Sequence, residues 1–236
     1  MGLPVHQSKD HAGWLVAAMR AGEGGHVVTL NAEMCIQAEN NPQLRRIIRN
    51  ATLVIPDGAG VKLYFRWVQG KRVPRYPGIE FAGDLLSLLD DSETVVFYGG
   101  APGLAEKAAS TWQQRLPNLN IAIAQHGYLS ESEQAAFQQQ LQEQQPNVIF
   151  VGLGVPRQER WICEHQHLCP NAVWVGIGGS FDIWAGQKQR APGWMCNNNL
   201  EWLYRLYQEP WRWQRMLALP KFVWRSIAYD LGFKRG

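Results

Sequence analysis

The polar residues that could carry out chemistry follow short apolar runs, at the points where strands of a parallel sheet would end. Asp57 follows the run Leu53–Ile55 and precedes Gly58, so its carboxylate is expected at the rim of the predicted sheet. A carboxylate in this place can act as a general base, or it can cap the helix that follows. Position alone does not decide between these two roles.

Two glycine-rich turns have the form that allows main-chain N–H groups to approach a phosphate. Gly99–Gly100 follows the apolar run Thr94–Tyr98, and Gly178–Gly179 follows Val173–Gly176. The alternative interpretation is a tight strand-to-helix turn that binds nothing. The other candidate site residues at strand ends are Thr29, Asn31, Gln158, Phe181 and Asp182.

Several nucleotide-binding signatures are absent from the sequence. Gly152-Leu153-Gly154 lacks the third glycine of the dinucleotide fingerprint, which weakens the alternative of an NAD-type Rossmann oxidoreductase. Walker sequences and Asp-x-Asp pairs, which hold a divalent ion on a nucleotide diphosphate, are also missing. A bound diphosphate would therefore be neutralised by arginines and main-chain N–H groups, without a metal or another cofactor. The candidate arginines are Arg75, Arg157, Arg190, Arg205, Arg212 and Arg215.

The elements that must position these residues alternate between strand and helix from residue 27 to about 186. This alternation predicts an α/β fold, a Rossmann-like, mostly parallel sheet with helices on both faces. Asn41–Pro42 is expected to begin one helix, and Ser130 with Glu133 forms a capping box at the start of another. Residues 1–195 are thus interpreted as the α/β core and residues 196–236 as a helical appendage, in which Pro220 is expected to separate two helices.

Composition places the chain among globular proteins, with 46% hydrophobic and 18% charged residues in 236. The sequence contains no apolar run long enough for a transmembrane helix and no signal-peptide pattern at its beginning, so a cytoplasmic location is expected. Its four cysteines show no Cys-x-x-Cys spacing, which argues against a metal site or a disulfide framework.

The appendage is both basic and rich in tryptophan. Residues 205–236 contain seven Lys/Arg and two Asp/Glu, a net charge of +5 within a chain whose total is +3. Tryptophans beside cationic side chains are typical of helices that lie on an anionic membrane surface. The alternative is a helical subdomain that buries its tryptophans, and a nucleic-acid partner is not expected because no groove-reading motif is present. A non-catalytic membrane-surface protein that binds a nucleotide sugar is therefore a second alternative hypothesis, and exposed apolar surface could also pair subunits into a homo-oligomer.

A set of motifs in fixed order resembles one known family, the WecG/TagA/CpsF-type glycosyltransferases (glycosyltransferase family twenty-six). The resemblance covers residues from about 26 to 215, and the motifs together are specific where any one alone would not be. The matching segments are Thr29–Met34, Pro56–Gly58, Arg75 with Gly78, Gly152–Trp161, Gly176–Gly186, Arg190–Pro192 and Leu200–Leu206.

This resemblance implies an inverting, metal-independent transfer of a sugar from a UDP donor to a polyprenyl-diphosphate-linked acceptor, at the inner face of the cell membrane. The general base of the family maps onto Asp57, and further active-site positions map onto Thr29, Asn31, Arg75 and Gln158. The appendage arginines that close over the diphosphate map onto Arg205, Arg212 and Arg215. The resemblance leaves the donor sugar open among N-acetylmannosamine, its uronic acid, glucose and glucuronic acid.

Overall fold

In the computed structural model, which describes residues 2–67, 70 and 76–230, six strands form one sheet in which every pairing is parallel. The strands are β1 (Gly25–Leu30), β2 (Leu53–Pro56), β3 (Thr94–Gly99), β4 (Asn120–Gln125), β5 (Val148–Gly152) and β6 (Val173–Gly176). Their order across the sheet is β2-β1-β6-β5-β3-β4. Because all the strands run in one direction, the carboxyl ends of β1, β2, β5 and β6 meet along the same edge.

Helices connect the strands and then continue beyond the last one. The helices before β5 are α1 (His11–Arg20), α2 (Ala32–Asn40), α3 (Pro42–Asn50), α4 (Ala59–Trp67), α5 (Gly78–Ser87), α6 (Leu104–Arg115) and α7 (Glu131–Gln144). Those after β5 are α8 (Arg157–His165), α9 (Ser180–Trp184), α10 (Gly193–Asn197), α11 (Glu201–Gln208), α12 (Trp213–Met216) and α13 (Ala218–Asp230). Short 3₁₀ helices span Gln166–Leu168 and Pro210–Arg212.

The strands are apolar on both sides, and alternate residues feed different cores. On one face, Val27 and Ile55 pack with buried residues of α1, α5, α6 and α9. On the other face, Val28 and Val54 pack with α2, α3 and α4, and Trp174 packs with α7 and α8. Continuous apolar strands of this kind are those of a sheet covered on both faces. The predicted Rossmann-like α/β fold with helices on both faces is confirmed.

Helix starts that the sequence predicts are present in the structure. Asn41 accepts a hydrogen bond from the Leu44 main-chain N–H through its side chain, and Pro42 is the first residue of α3. Both halves of the Ser130–Glu133 capping box are formed at the start of α7. These signals are local, so they do not depend on how the rest of the chain packs.

One expectation about the appendage is wrong. Pro220 does not separate two helices, because it is the third residue of α13. In the first turn of a helix the main-chain N–H groups have no partner within the helix, so a proline there removes no hydrogen bond. The break lies earlier, where α12 ends at Met216 and α13 begins at Ala218.

The last described helix, α13, is part of the protein's packing. Its Phe222 is 3% exposed and belongs to the same buried cluster as Leu30, Met34 and Val61. Trp224, two residues further along the helix, is 72% exposed. One side of α13 is therefore fixed against α2 and α4, and the other is presented to solvent. Within the described ranges, no helix combines the length and apolar character needed to cross a bilayer.

We expect Phe222→Ala to lower the free energy of unfolding by about 3 to 5 kcal/mol, because it removes a buried aromatic ring and leaves a cavity. Trp224→Ala on the same helix is the matched control and should change the free energy of unfolding by less than about 0.5 kcal/mol. Urea denaturation followed by circular dichroism measures both. An equal loss of unfolding free energy in the two variants would contradict the packing of α13 against the core.

Candidate active site

A cleft of about 220 Å³ lies beyond the carboxyl ends of β1, β2, β5 and β6, and the appendage forms its opposite wall. Ligands of open α/β sheets bind at this edge, where neighbouring strands send their connections in opposite directions. The cleft brings together eight of the predicted site residues. They are Thr29, Asn31, Asp57, Gln158, Gly178, Gly179, Arg205 and Arg215.

Asp57 stands immediately after β2, and its main-chain N–H donates to the Leu30 carbonyl at 2.8 Å. This contact extends the pairing of β1 and β2 by one residue and fixes the backbone from which the carboxylate projects. Asp57 is partly exposed, as a group that exchanges protons with a substrate must be. Beside it, Asn31 caps α2 by accepting the Met34 N–H at 3.0 Å. The carboxylate and the amide therefore share one end of the cleft, each on a rigid main chain.

Thr29 and Gln158 both contact the main chain where β6 ends. The Thr29 hydroxyl donates to the Gly176 carbonyl at 3.1 Å, and the Gly178 N–H donates to Gln158 Oε1 at 3.0 Å. Both side chains are buried, with 7% and 2% exposure. They shape the turn Gly178–Gly179 in the wall of the cleft. The Gly178 N–H is occupied by Gln158 in this arrangement.

Two appendage arginines line the cleft, each held by a carboxylate. Arg205 Nη2 lies 2.7 Å from Glu201 Oε1, one turn earlier in α11. Arg215 Nε lies 2.8 Å from Glu33 Oε1 in the first turn of α2, which connects the appendage to the core. The Arg215–Glu33 pair is partly exposed on both sides, so it contributes only about 0 to 1 kcal/mol to stability, whereas the Glu201 side chain is 6% exposed. The main effect of the two ion pairs is to hold two guanidinium groups in the lining of the cleft.

Arg190 and Asp182 lie beside the cleft rather than in its lining. Arg190 forms an ion pair with Glu80 and, with Arg205 and Gly179, lines a smaller adjoining cavity. Burial lowers the pKa of the Arg190 guanidinium, but the hydrogen bond and charge of Glu80 outweigh this and raise it above its usual value. Arg190 is therefore a permanent cation next to the turn.

Asp182 connects the segment after β6 to the appendage. Lys188 Nζ lies 3.1 Å from Asp182 Oδ1 and 3.1 Å from Glu209 Oε1. Glu209 directly follows α11, the helix that carries Arg205. This bridge fixes the appendage relative to the sheet at a second place, besides the contact of Arg215 with Glu33.

The structure does not bring Gly99, Gly100 or Phe181 to the cleft. Gly99–Gly100 ends β3, which is separated from β6 by β5, and the Gly100 N–H donates to the Gly152 carbonyl at 3.1 Å. A side chain at Gly99 would lie 2.5 Å from the Gly152 main chain, so glycine here permits close packing of two strand ends. Phe181 is 1% exposed, and the centroid of its ring lies 5.1 Å from the centroid of the Phe97 ring. These three residues therefore lie outside the lining of the cleft.

Two predicted arginines cannot be placed by their side chains. Arg75 lies outside the described residues, although the N–H of the next residue, Tyr76, donates to the Pro56 carbonyl at 3.1 Å. The chain therefore returns to the end of β2, next to Asp57, directly after Arg75. Arg212 is the last residue of the 3₁₀ helix Pro210–Arg212, and only its main chain is described.

Sequence reasoning missed the carboxylates that hold the arginines. Glu201 and Arg205 are four residues apart on one helix, a spacing that can be read from a sequence as an ion pair. Glu33 and Arg215 are 182 positions apart, so no local pattern could have paired them. Within the described residues, no three His, Cys, Asp or Glu side chains are grouped so that they could hold a metal ion.

Comparison with known proteins identifies the family of the chain and several relatives. The model of the glycosyl transferase WecG/TagA/CpsF family matches residues 1–236. A Bacillus subtilis protein is 34% identical over 201 residues, which cover 85% of this chain and 78% of that protein. A Bacillus spizizenii protein is 35% identical over 209 residues, covering 88% and 80%. A Staphylococcus aureus protein is 32% identical over 200 residues, covering 84% and 78%. All three are named N-acetylglucosaminyldiphosphoundecaprenol N-acetyl-beta-D-mannosaminyltransferase.

Proposed function

The chain belongs to the glycosyl transferase WecG/TagA/CpsF family and is a hexosyltransferase, and on that basis we propose its substrates and mechanism. The proposed donor is a UDP-sugar, with N-acetylmannosamine or a related hexose or uronic acid as the transferred group. The proposed acceptor is a saccharide linked to a polyprenyl diphosphate, as in the names of the relatives. The product would serve the synthesis of a cell-surface polysaccharide. Family membership sets aside the NAD oxidoreductase and the non-catalytic binding protein.

The observation that carries the proposal is that Asp57 and the guanidinium groups of Arg205 and Arg215 line the same cleft. Asp57 lines the side formed by the sheet, and Arg205 and Arg215 line the side formed by the appendage. Transfer from a nucleotide diphosphate needs a proton acceptor at the attacking oxygen and positive charge at the departing one. We assign the first role to Asp57 and the second to Arg205 and Arg215.

Asp57 is proposed as the general base. It takes the proton of an acceptor hydroxyl as that oxygen forms a bond to the anomeric carbon of the donor sugar. The bond from the anomeric carbon to the diphosphate oxygen breaks on the opposite side, so the configuration inverts. The beta linkage in the names of the relatives supports inversion, since it is the product expected from an α-linked nucleotide sugar.

Arginines are proposed to stabilise the departing UDP. Negative charge grows on the diphosphate as its bond breaks, and guanidinium groups pair with phosphate oxygens through charged, often bidentate hydrogen bonds. Arg205 and Arg215 line the cleft, and Arg190 adds a third cation beside it. Arg75 is proposed to join them because Pro77 and Gly78, just after it, line the cleft, and Arg212 is proposed on the family resemblance alone. Transfer is therefore proposed to proceed without a divalent ion.

The exposed face of the appendage is proposed to dock on the inner face of the cell membrane. Trp211, Trp213 and Trp224 are 71%, 55% and 72% exposed, and the cations Lys221 and Arg225 lie in the same segment. Indole rings prefer the region of lipid headgroups, where basic side chains also meet anionic lipid. Docking there would place the cleft near a diphosphate that is anchored in lipid.

Donor class and metal independence are tested by supplying UDP-N-acetylmannosamine and a short-chain polyprenyl-diphosphate N-acetylglucosamine to the full chain. The expected result is a product heavier by one N-acetylhexosamine, formed at the same rate with and without EDTA. Mass spectrometry of the lipid product measures its mass and its rate of formation. UDP-glucose and UDP-glucuronic acid are compared as donors. Loss of activity in EDTA with recovery in magnesium would contradict the role given to the arginines.

Asp57→Asn removes the proposed base while keeping its size, so we expect kcat to fall by about 10² to 10⁴. UDP binding, measured by calorimetry, should be retained because the arginines are unchanged. Asp91→Asn, at an exposed aspartate remote from the cleft, is the control and should keep wild-type kcat. A fully active Asp57→Asn enzyme would remove Asp57 from the mechanism.

Replacing Trp211, Trp213 and Trp224 together by glutamine is expected to weaken binding to phosphatidylglycerol vesicles by about tenfold or more, since apolar area no longer enters the interface. Trp14→Gln is the control, because Trp14 is 49% exposed but lies on α1, outside the appendage. Vesicle sedimentation at two salt concentrations measures the affinity. Unchanged binding of the triple variant would count against docking by this face.

A further inference from the structure

A buried pair of ionisable side chains lies beneath the cleft, and the mechanism above does not use it. Glu159, in the first turn of α8, is 0% exposed, and His26, in β1, is 5% exposed. Glu159 Oε2 and His26 Nε2 are 2.7 Å apart, although the ring N–H is not aligned for a hydrogen bond. Taking a carboxylate out of water costs several kcal/mol unless it is paired. We therefore expect this pair to have a role besides filling the core.

The other oxygen of the Glu159 carboxylate contacts the site. Glu159 Oε1 accepts a hydrogen bond from Gln158 Nε2 at 2.9 Å, and Gln158 Oε1 accepts the Gly178 main-chain N–H at 3.0 Å. A continuous chain of polar contacts therefore runs from His26 through Glu159 and Gln158 to the turn in the cleft wall. Gln158 is itself 2% exposed, so water does not compete for these contacts.

Glu159 decides which way the Gln158 amide points. A carboxylate can only accept hydrogen bonds, so the NH₂ group of Gln158 must face Glu159. Its oxygen then faces the Gly178 N–H, which can only donate. A flipped amide would place oxygen against oxygen and NH₂ against N–H, and both contacts would be repulsive. A glutamine at position 159 could also turn its own NH₂ group toward Gln158, so it would fix this orientation less strongly than a carboxylate.

The end of β6 is shaped around these side chains. A Cβ at Gly176 would lie 2.5 Å from Gln158 Nε2 and 2.7 Å from Glu159 Oε1, so glycine is needed where the strand passes them. Gly178 has a φ of +54°, and Gly178 and Gly179 then line the cleft with Asp57 and Arg205. A shift of this turn would move the wall of the cleft relative to the base and the arginine.

We propose that Glu159, supported by His26, is a positioning residue of the transferase site, which acts through Gln158 to fix the turn at Gly178. Only the predicted change in kcat rests on the proposed function; the positioning of the Gly178 turn does not. A substrate held about 1 Å from its productive position can lose up to about 10²-fold in rate, so a loosened turn should lower kcat without abolishing the fold.

The kinetic test is a double-mutant cycle in the full chain, with Glu159→Gln, Gln158→Ala and the double variant. We expect Glu159→Gln to lower kcat about tenfold in the wild-type background and to have no further effect in the Gln158→Ala background. The KM for the UDP-sugar should change less than kcat. Glu164→Gln, at an exposed glutamate of the same helix, is the matched control and should keep wild-type kcat. The same factor in both backgrounds would show that Glu159 acts on stability alone, and would overturn the proposal.

A second measurement needs no activity, so it separates this proposal from the proposed function. Ile177–Gly178 is the only Ile–Gly pair in the sequence, so ¹³C-carbonyl isoleucine with ¹⁵N-glycine labels a single amide. Loss of the hydrogen bond to Gln158 is expected to move the Gly178 amide proton upfield in Glu159→Gln but not in Glu164→Gln. If Glu159→Gln does not fold, His26→Gln takes its place in both experiments. An unmoved Gly178 resonance in a folded variant would overturn the proposal, even if the wild-type chain transfers no sugar.

Discussion

The packing of α13 against the core is the constraint on which the cleft depends. Phe222 is buried with Leu30 of β1 and with residues of α2 and α4, so the chain just before α13 must lie over the carboxyl ends of β1 and β2. That preceding segment carries Arg215 and Met216, which form part of the cleft wall. Burial of one aromatic side chain thus brings a cation from the last part of the chain to face a carboxylate from the first part.

The cations Arg205, Arg215 and Lys188 are each paired with carboxylates of the protein before any substrate arrives. Arg215 is paired with Glu33 and Arg205 with Glu201, while Lys188 connects Asp182 to Glu209. The Arg215–Glu33 pair is partly exposed and therefore weak, so it can fix the direction of the arginine and still exchange partners when a stronger anion binds. A diphosphate carries more charge than a single carboxylate and offers several oxygens. On this basis, donor binding would replace ion pairs within the protein by pairs to phosphate, and would draw the appendage more firmly onto the core.

Much of the fold could be predicted from the sequence, because its signals are local. Apolar strands, their alternation with helices and the capping residues Asn41 and Ser130 all act within a few positions of the chain, and the structure has them. The expectation that Pro220 separates two helices was wrong because a proline stops a helix only when it falls beyond the first turn, and the start of α13 depends on tertiary packing.

For the site, strand ends identified Asp57, Asn31 and Gln158, since parallel topology places them along one edge. The position of Gly99–Gly100 could not be judged without the strand order, which sets β5 between β3 and β6. A local sequence pattern also could not pair Glu33 with Arg215, or His26 with Glu159, because the partners are far apart in the chain.

The most direct test of a cleft shared by core and appendage is a crystal structure of the full chain with UDP bound. The diphosphate is predicted to lie between the Gly178–Gly179 turn and the appendage, with guanidinium nitrogens of Arg205 and Arg215 about 2.7 to 2.9 Å from phosphate oxygens. The Asp57 carboxylate should face the open position next to the β-phosphate, where the sugar would stand. UDP bound instead at the end of β3, beside Gly99 and Gly100, with both arginines still paired to Glu201 and Glu33, would contradict it.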